Sequence, residues 1–452
     1  MVSVSTPAVL RAPVAAGTAV CAVPAPARTA SLRVVVVGQG YVGLPLALHA
    51  AQAGHRVIGL DTDARRIEDL ASGRSPVEDV TAAQLELLLR QGAYRPTARP
   101  EDVAGFDVAV IAVPTPLREG IPDLSYVTAA GRTVGRHLRE GALVVLESTS
   151  YPGTTRTVLG PVLEEASGLR MGRDFALGFS PERIDPGNRA WTLETTPKLV
   201  SGIDEDSRER TAAFYAGLVD VVVPMSRCEE AELAKLVENT FRAVNIALVN
   251  ELAEVAHDTG LDVREALDAA ASKPFGFMPF TPGPGIGGHC LPIDPVYLSW
   301  WAAQVRDGRG SQLIDLAGRI NTARPAHVVD RVEGHLATQG RTLLGARVLL
   351  LGLSYKPGSG DLRESPAMEV ARLMEAGGAR VCAADPFVDP AAVGRVRLVA
   401  ATEQELAATD VVVVLTDHDV FDYDLVAACP AFVLDCRGRL AGRTATAVVE
   451  QL

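Results

Sequence analysis

Five residues, Arg33-Val34-Val35-Val36-Val37, run directly into Gly38-Gln39-Gly40-Tyr41-Val42-Gly43, and no other stretch restricts the fold of this chain so tightly. An unbroken run of β-branched residues reads as a strand buried on both faces, which is the environment of a parallel sheet covered by helices. The glycines end that strand in a tight turn. A helical stretch follows from Leu44 to Ala53, with Gly54 as its stop signal. A second strand, Arg56-Val57-Ile58-Gly59-Leu60, ends on Asp61, completing one βαβ unit. Further apolar strands at Val108–Val113, Leu143–Leu146 and Phe175–Phe179 alternate with helical patterns, which predicts an open doubly wound sheet.

The chain has 452 residues, too many for one ordinary core. From Glu229 to about Thr259 the pattern changes. Leu233, Leu236, Val237, Phe241, Val244, Leu248, Leu252 and Val255 recur at helical spacing, with no glycine or proline between them. Such a helix spans roughly 45 Å and would serve as a connector or an oligomer spine. Near Arg341 the strand–helix alternation restarts, with Arg347–Leu351 running into Gly352 and strands following at Ala379–Ala383, Val411–Leu415 and Phe432–Leu434. Both halves share one layout of strand, glycine turn, helix, and a strand ending in aspartate (Asp61 and Asp385). The expected fold class is α/β, with two Rossmann-like doubly wound parallel-sheet domains joined by a long central helix. The segments are 32–215, 216–330 and 331–452. Residues 1–31, rich in Ala, Pro, Val, Ser and Thr, read as a disordered extension. Arg11, several prolines and the lack of a clean apolar core argue against a signal peptide.

A net charge of −12 disfavours a nucleic-acid backbone as partner. No apolar run reaches membrane length. The six cysteines, Cys21, Cys228, Cys290, Cys382, Cys429 and Cys436, show no CxxC pairing and no zinc spacing, so no metal is expected. A reducing cytoplasm suits them better than a disulfide-stapled setting.

Three places carry chemistry. In the first turn, Gly38 permits the bend, Gly40 lets backbone approach a pyrophosphate, and Gly43 lets helix pack on strand. Asp61 sits where a carboxylate would bind a ribose diol and repel a 2′-phosphate, which favours NAD over NADP. Arg66 is close enough in sequence to pair nearby, although an isolated arginine is more often solvated. The second place is Gly283-Pro284-Gly285-Ile286-Gly287-Gly288-His289-Cys290-Leu291-Pro292-Ile293-Asp294. A segment this dense in glycine can cradle a ligand with backbone amides while presenting one side chain, here Cys290, with Asp294 four residues on. A buried structural cysteine is the bland alternative, and the flanking glycines weigh against it. His289 could depress the thiol pKa or merely fill space. The third is Lys235 with Asn239, one helical turn apart, a pair that spacing alone would leave as solvated surface.

Taken together, these residues resemble the UDP-glucose/GDP-mannose dehydrogenase family, and most of all its UDP-N-acetylhexosamine 6-dehydrogenases. The resemblance spans Leu32 to Leu452. It rests on GQGYVGLP at 38–45, VPTP at 113–116, ESTSYPGTT at 147–155, FSPER at 179–183, AKLVENTFRAVNIALVNE at 234–251, GPGIGGHCLPID at 283–294 and GLSYKPGSGDLRESP at 352–366. It implies that Gly38, Gly40, Tyr41, Val42, Gly43, Asp61, Arg66, Thr115 and Thr149 hold NAD, with Arg363 at its phosphates. It implies catalytic roles for Cys290, Lys235, Asn239, Asp294, Glu182 and Thr149. Substrate contacts would come from Glu182, Arg183, Lys235, Asn239, Gly287, Tyr355, Lys356 and Arg437, the last three toward UDP. A homodimer or larger homo-oligomer built on the central helix is implied as well.

The implied reaction removes four electrons from one carbon. A first oxidation gives an aldehyde, the Cys290 thiolate captures it as a thiohemiacetal, a second oxidation gives a thioester, and water releases the uronate. Lys235 would stabilise the developing alkoxide. One departure matters. UDP-glucose dehydrogenases of the family usually carry CxPKD, whereas this chain has CLPID with Ile293 at the lysine position. The expected substrate is therefore a UDP-N-acetylhexosamine, with UDP-N-acetylglucosamine foremost and UDP-glucose as the rival. A two-electron 3-hydroxyacid dehydrogenase would not need Cys290 or a second Rossmann-like domain. A non-catalytic nucleotide-sugar or NAD sensor would not need Cys290, Lys235, Asn239 and Asp294 together.

Overall fold

The computed structural model describes residues 31–452 apart from 78, 79, 185–187 and 189, so the expected disordered extension lies outside the described residues but for Ser31. The first sheet has eight strands, ordered 222–224, 198–202, 176–179, 143–146, 108–111, 33–37, 56–60 and 94–97. Its first six strands in chain order therefore lie 3-2-1-4-5-6, the doubly wound arrangement. Val34 and Val36 enter the core on one face of the sheet, and Val35 and Val37 the core on the other. That is what an unbroken valine run predicts, since successive side chains alternate faces. One pairing breaks the parallel rule: the 176–179 and 198–202 strands run antiparallel.

The second sheet has six strands in the order 397–398, 380–384, 347–351, 411–414, 432–435 and 448–451, all parallel. In chain order this is again 3-2-1-4-5-6. Val348 and Leu350 face one core and Leu349 and Leu351 the other. The two turns match in detail. Gly38 and Gly352 both have positive φ (92° and 83°), and the N–H of each donates to the last residue of the neighbouring strand, Leu60 or Ala384. Asp61 then accepts from Gln39 N–H at 2.7 Å, and Asp385 from Leu353 N–H at 2.7 Å.

Between the sheets, a 32-residue helix, Cys228–Thr259, packs against a 27-residue helix, Gln312–Thr338, and against Asp294–Val305. The 312–338 helix continues unbroken past residue 330, and its end places Val328, Val332 and Leu336 in the second sheet's core. The central helix has the expected length but buries an unexpected face. Ala231, Glu232, Lys235, Leu236, Asn239, Ala243, Ala247, Asn250 and Ala253 point inward, whereas Val237, Phe241, Leu248, Leu252 and Val255 are exposed. Among the described residues no helix is long and apolar enough to cross a membrane.

Candidate active site

The first turn separates glycines needed by the protein from one that leaves room. A Cβ on Gly38 would lie 2.3 Å from the Ala112 carbonyl oxygen, and one on Gly43 1.9 Å from that of Gly38. Neither side chain could exist there. A Cβ on Gly40 would meet nothing within 4 Å. The helix Gly43–Gln52 beside it starts without a side-chain cap, and its Leu44 N–H turns back to the Gly40 carbonyl at 3.1 Å. This open, positively polarised helix start fits a dinucleotide pyrophosphate. Asp61 is buried and fixed at the rim, where Oδ1 accepts from Asp63 N–H at 2.9 Å and Oδ2 sits 2.9 Å from the Arg66 guanidinium. Arg66 thus pairs with the carboxylate itself, not with solvent.

The second half of the chain reaches this turn. Arg363 is clamped by Asp361, with Nε 2.9 Å from Oδ1, and its guanidinium lies 4.7 Å over the Tyr41 ring. Thr115 is buried, and its carbonyl accepts from the Tyr297 hydroxyl at 3.0 Å. Tyr297 lies on the Asp294–Val305 helix, so the VPTP segment is tied to the element that follows Cys290. The Ser148 hydroxyl donates to the Val113 carbonyl at 2.7 Å, which holds half-buried Thr149 beside the same segment.

Cys290 ends the glycine-dense loop just before that helix, and its carbonyl accepts from Asp294 N–H at 2.9 Å. Its surface is exposed, unlike that of the buried Cys228, Cys429 and Cys436. Although water reaches the sulfur, the protein crowds round it and pushes the thiol up from its ordinary pKa. Asp294 adds to that, and Lys235 and Arg363 oppose it. Lys235 and Asn239 are buried on the inward face of the central helix, and Asn239 Nδ2 donates to Asp294 Oδ2. Burial pushes the Asp294 carboxyl up to about 6 against the pull of Lys235 and Asn239. Lys235, Asn239, Asp294 and Cys290 therefore form one cluster, as the resemblance implied.

Burial and the nearby Arg363 lower the pKa of His289, with Asp361 opposing them. The loop glycines also permit a close approach within the protein. A Cβ on Gly287 would lie 2.6 Å from Tyr355 Cβ, one on Gly288 2.9 Å from the Tyr355 ring, and one on Gly283 3.1 Å from Arg437 Nη1. The close approach they permit is to the second Rossmann-like domain. Arg437 Nε donates to the Leu415 carbonyl at 2.7 Å. Lys356 lies in the same segment as Tyr355 and is half-buried.

Glu182 accepts from the N–H groups of Arg183 and Ile184 through Oε1, while Oε2 is 3.5 Å from Lys198 Nζ. Arg183 pairs with Glu238 on the central helix, 2.6 Å away. Among the described residues no group of three or more His, Cys, Asp or Glu side chains could hold a metal ion.

Residues 32–219 match the NAD binding domain of the UDP-glucose/GDP-mannose dehydrogenase family, 229–323 its central domain and 349–441 its UDP binding domain. The chain belongs to that family. It is an NAD-dependent nucleotide-sugar dehydrogenase. It is 37% identical over 359 residues to the UDP-N-acetyl-D-glucosamine 6-dehydrogenase of Pseudomonas aeruginosa, covering 79% of this chain and 83% of the relative. The UDP-D-ManNAc dehydrogenase structure from Pyrococcus horikoshii superimposes with a TM-score of 0.85 at 33% identity, covering 93% of this chain and 99% of that one. A UDP-glucose dehydrogenase from Pyrobaculum islandicum gives 0.84 at 30% identity, with 93% and 97% covered. Likeness of fold thus spans three sugars.

The family motifs did not single out three buried polar residues that the structure ties to the site. Glu232 accepts from Gly153 N–H, Thr155 N–H and the Thr155 hydroxyl, fixing the ESTSYPGTT segment to the helix that carries Lys235. Burial pushes its carboxyl up to about 7. Its place three residues before Lys235, on one helical face, was a usable signal. Glu147 closes an apolar strand, which is where doubly wound sheets present functional groups. Lys198 opens a strand in a run that resembles any other strand start.

Proposed function

We propose that this dehydrogenase oxidises the C6 hydroxyl of a UDP-N-acetylhexosamine, UDP-N-acetylglucosamine foremost, to the uronate through a thioester on Cys290. The observation that carries the reading is an exposed thiol at the start of the Asp294–Val305 helix, with buried Lys235, Asn239 and Asp294 around it. A helix N-terminus and an ammonium both favour the thiolate over the thiol. They oppose the crowding in part, and burial still leaves the thiol above its ordinary pKa.

The work divides among 32–215 for NAD, 216–330 for the chemistry and 331–452 for UDP. Gly38, Gly40, Tyr41, Val42, Gly43, Asp61, Arg66, Thr115, Thr149 and Arg363 would hold NAD, and two NAD molecules bound in turn would each accept one hydride. Lys235 and Asn239 hold the C6 oxygen, and the Lys235 ammonium stabilises the alkoxide as the hydroxyl gives its proton to the water that Asp294 orders. The Cys290 sulfur then bonds to the aldehyde carbon and retains it as a thiohemiacetal until the second oxidation. In the last step water attacks the thioester carbon, Glu182 accepts its proton, and the carbon–sulfur bond breaks to free the carboxylate. Asp294 orders that water. Arg183 and Gly287 contribute to the sugar pocket, and Tyr355, Lys356 and Arg437 contact UDP.

Two observations bear on the sugar. Ile293 is buried with Leu236 and Tyr297, so this position presents no charge to a substrate. The Pseudomonas aeruginosa relative is named for UDP-N-acetyl-D-glucosamine. UDP-glucose remains the second reading, because a UDP-glucose dehydrogenase superimposes nearly as well. The exposed apolar stripe on the central helix supports a dimer formed across it.

The test is Cys290→Ser. The variant should bind NAD and UDP-sugar within a few-fold of the parent enzyme and form no net uronate. Full uronate yield would remove the cysteine from the mechanism.

A further inference from the structure

Behind Glu182 lies a buried ionic cluster that the reaction as written does not use. Lys198 opens the 198–202 strand and is 3% exposed. Its ammonium pairs with Glu147, which is fully buried at the end of the 143–146 strand, and lies 3.5 Å from Glu182 Oε2. The Tyr215 ring closes the remaining side, 5.1 Å from Nζ. Two carboxylates therefore share one cation in a dry setting, where unbalanced charge is costly. Glu147 Oε2 finds no hydrogen-bond partner among the described residues. Burial pushes the Glu147 carboxyl up to about 7, with Glu182 adding to that and Lys198 opposing it. The charge of Glu182 is felt at the Cys290 thiol.

We propose that Lys198 is a positioning residue for the hydrolytic step: its ammonium, braced from behind by Glu147 and Tyr215, holds the Glu182 carboxylate in place beside the thioester. This rests on the reading of Glu182 as the group that receives the proton of the attacking water. The geometry explains why an otherwise expensive buried pair is present. A lone lysine behind Glu182 would be free to turn toward it and cancel its charge. Glu147 restrains the ammonium at 3.5 Å, close enough to favour the carboxylate but too far for a tight ion pair. The groups facing Glu147 are Lys198, Glu182 and Tyr215, so the balance among them sets the pH response.

The experiment follows NADH in a stopped-flow burst and in steady state, with intact-protein mass to detect the acyl-enzyme. Lys198→Met should keep a burst of two NADH per active site, and the acyl adduct should accumulate. Its steady-state rate should fall about a hundredfold, the lower range for loss of general-base assistance. Lys198→Arg should recover part of that rate. Glu147→Gln removes the restraint and lets the ammonium close on Glu182, so the burst should stay at two NADH per active site while the steady-state rate falls several-fold. A Lys198→Met steady-state rate within a few-fold of the parent overturns the proposal. So does a parallel fall of burst and steady state, which marks a structural role. If Lys198→Met fails to fold, Glu147→Gln decides alone, and an unchanged steady-state rate there overturns the proposal. Glu182→Gln serves as the control. Normal turnover there defeats the reading of Glu182 itself, independently of Lys198.

Discussion

At the scale of single residues the site is organised by groups whose charge is set by burial. Asp294 is the clearest case. Its carboxyl is pushed up to about 6 because it is enclosed, and Lys235 and Asn239 only partly reverse that. A raised carboxyl is protonated below its pKa, and protonated Asp294 cannot accept from the water it orders. The rate of uronate formation should therefore fall as pH drops through about 6. In Asp294→Asn the limb near 6 should vanish along with most of the rate. A limb that persists unchanged in Asp294→Asn would assign it elsewhere. Most of the residues in this cluster were legible from motifs. Their convergence was not, since nothing in a linear sequence shows Lys198 lying between Glu147 and Glu182, whose positions are 35 residues apart. Sequence also left the role of His289 open, and only the fold brings the charges of Arg363 and Asp361 to bear on it.

At the scale of elements the glycine loop 283–290 is the joint of the molecule. Its glycines let Tyr355 and Arg437 of the second Rossmann-like domain come within side-chain contact of the segment bearing Cys290. Gly288 has φ 79° and no room for a methyl group against the Tyr355 ring. Gly288→Ala should cost roughly 1–3 kcal/mol from the left-handed backbone and the clash together, and displacing Cys290 should lower turnover tenfold or more. Denaturant midpoint and kcat, measured together, check this. Unchanged values for both would mean the loop is not a joint. The central helix teaches a related lesson. Its apolar period was read correctly, and its span too, but periodicity states only which residues share a face. The face packed on the rest of the chain is lined largely by alanine and polar groups, because Lys235 and Asn239 must reach the site from it. Strands such as Tyr94–Thr97 and Val448–Gln451 went unseen in sequence because they are sheet edges, short and partly polar.

At the scale of the whole molecule, two sheets that share the 3-2-1-4-5-6 order in their first six strands face a shared helical core. The reacting groups come from the centre, the dinucleotide turn from the first sheet and the presumed UDP contacts from the second. That doubling was visible in sequence as two valine- and leucine-rich strands running into glycine turns, because fully buried parallel strands have no polar face to disguise them. The apolar stripe of Val237, Phe241, Leu248, Leu252 and Val255 lies on the far side of the core helix from the site. If two copies meet there, Leu248→Glu should raise the dimer dissociation constant about a hundredfold, as expected for a charge at the centre of an apolar interface. Sedimentation at equal concentrations would show monomer for the variant and dimer for the parent. A variant as dimeric as the parent would place the interface elsewhere.

The central claim is that one site oxidises one carbon twice and never releases the aldehyde. The most direct measurement is NADH formed per UDP-sugar consumed, run in parallel on UDP-N-acetylglucosamine, its C2 and C4 epimers and UDP-glucose. The account predicts two NADH per sugar, with an N-acetylated substrate turned over fastest. A ratio of one would contradict it, since the aldehyde would then leave and Cys290 would not be the group that holds it.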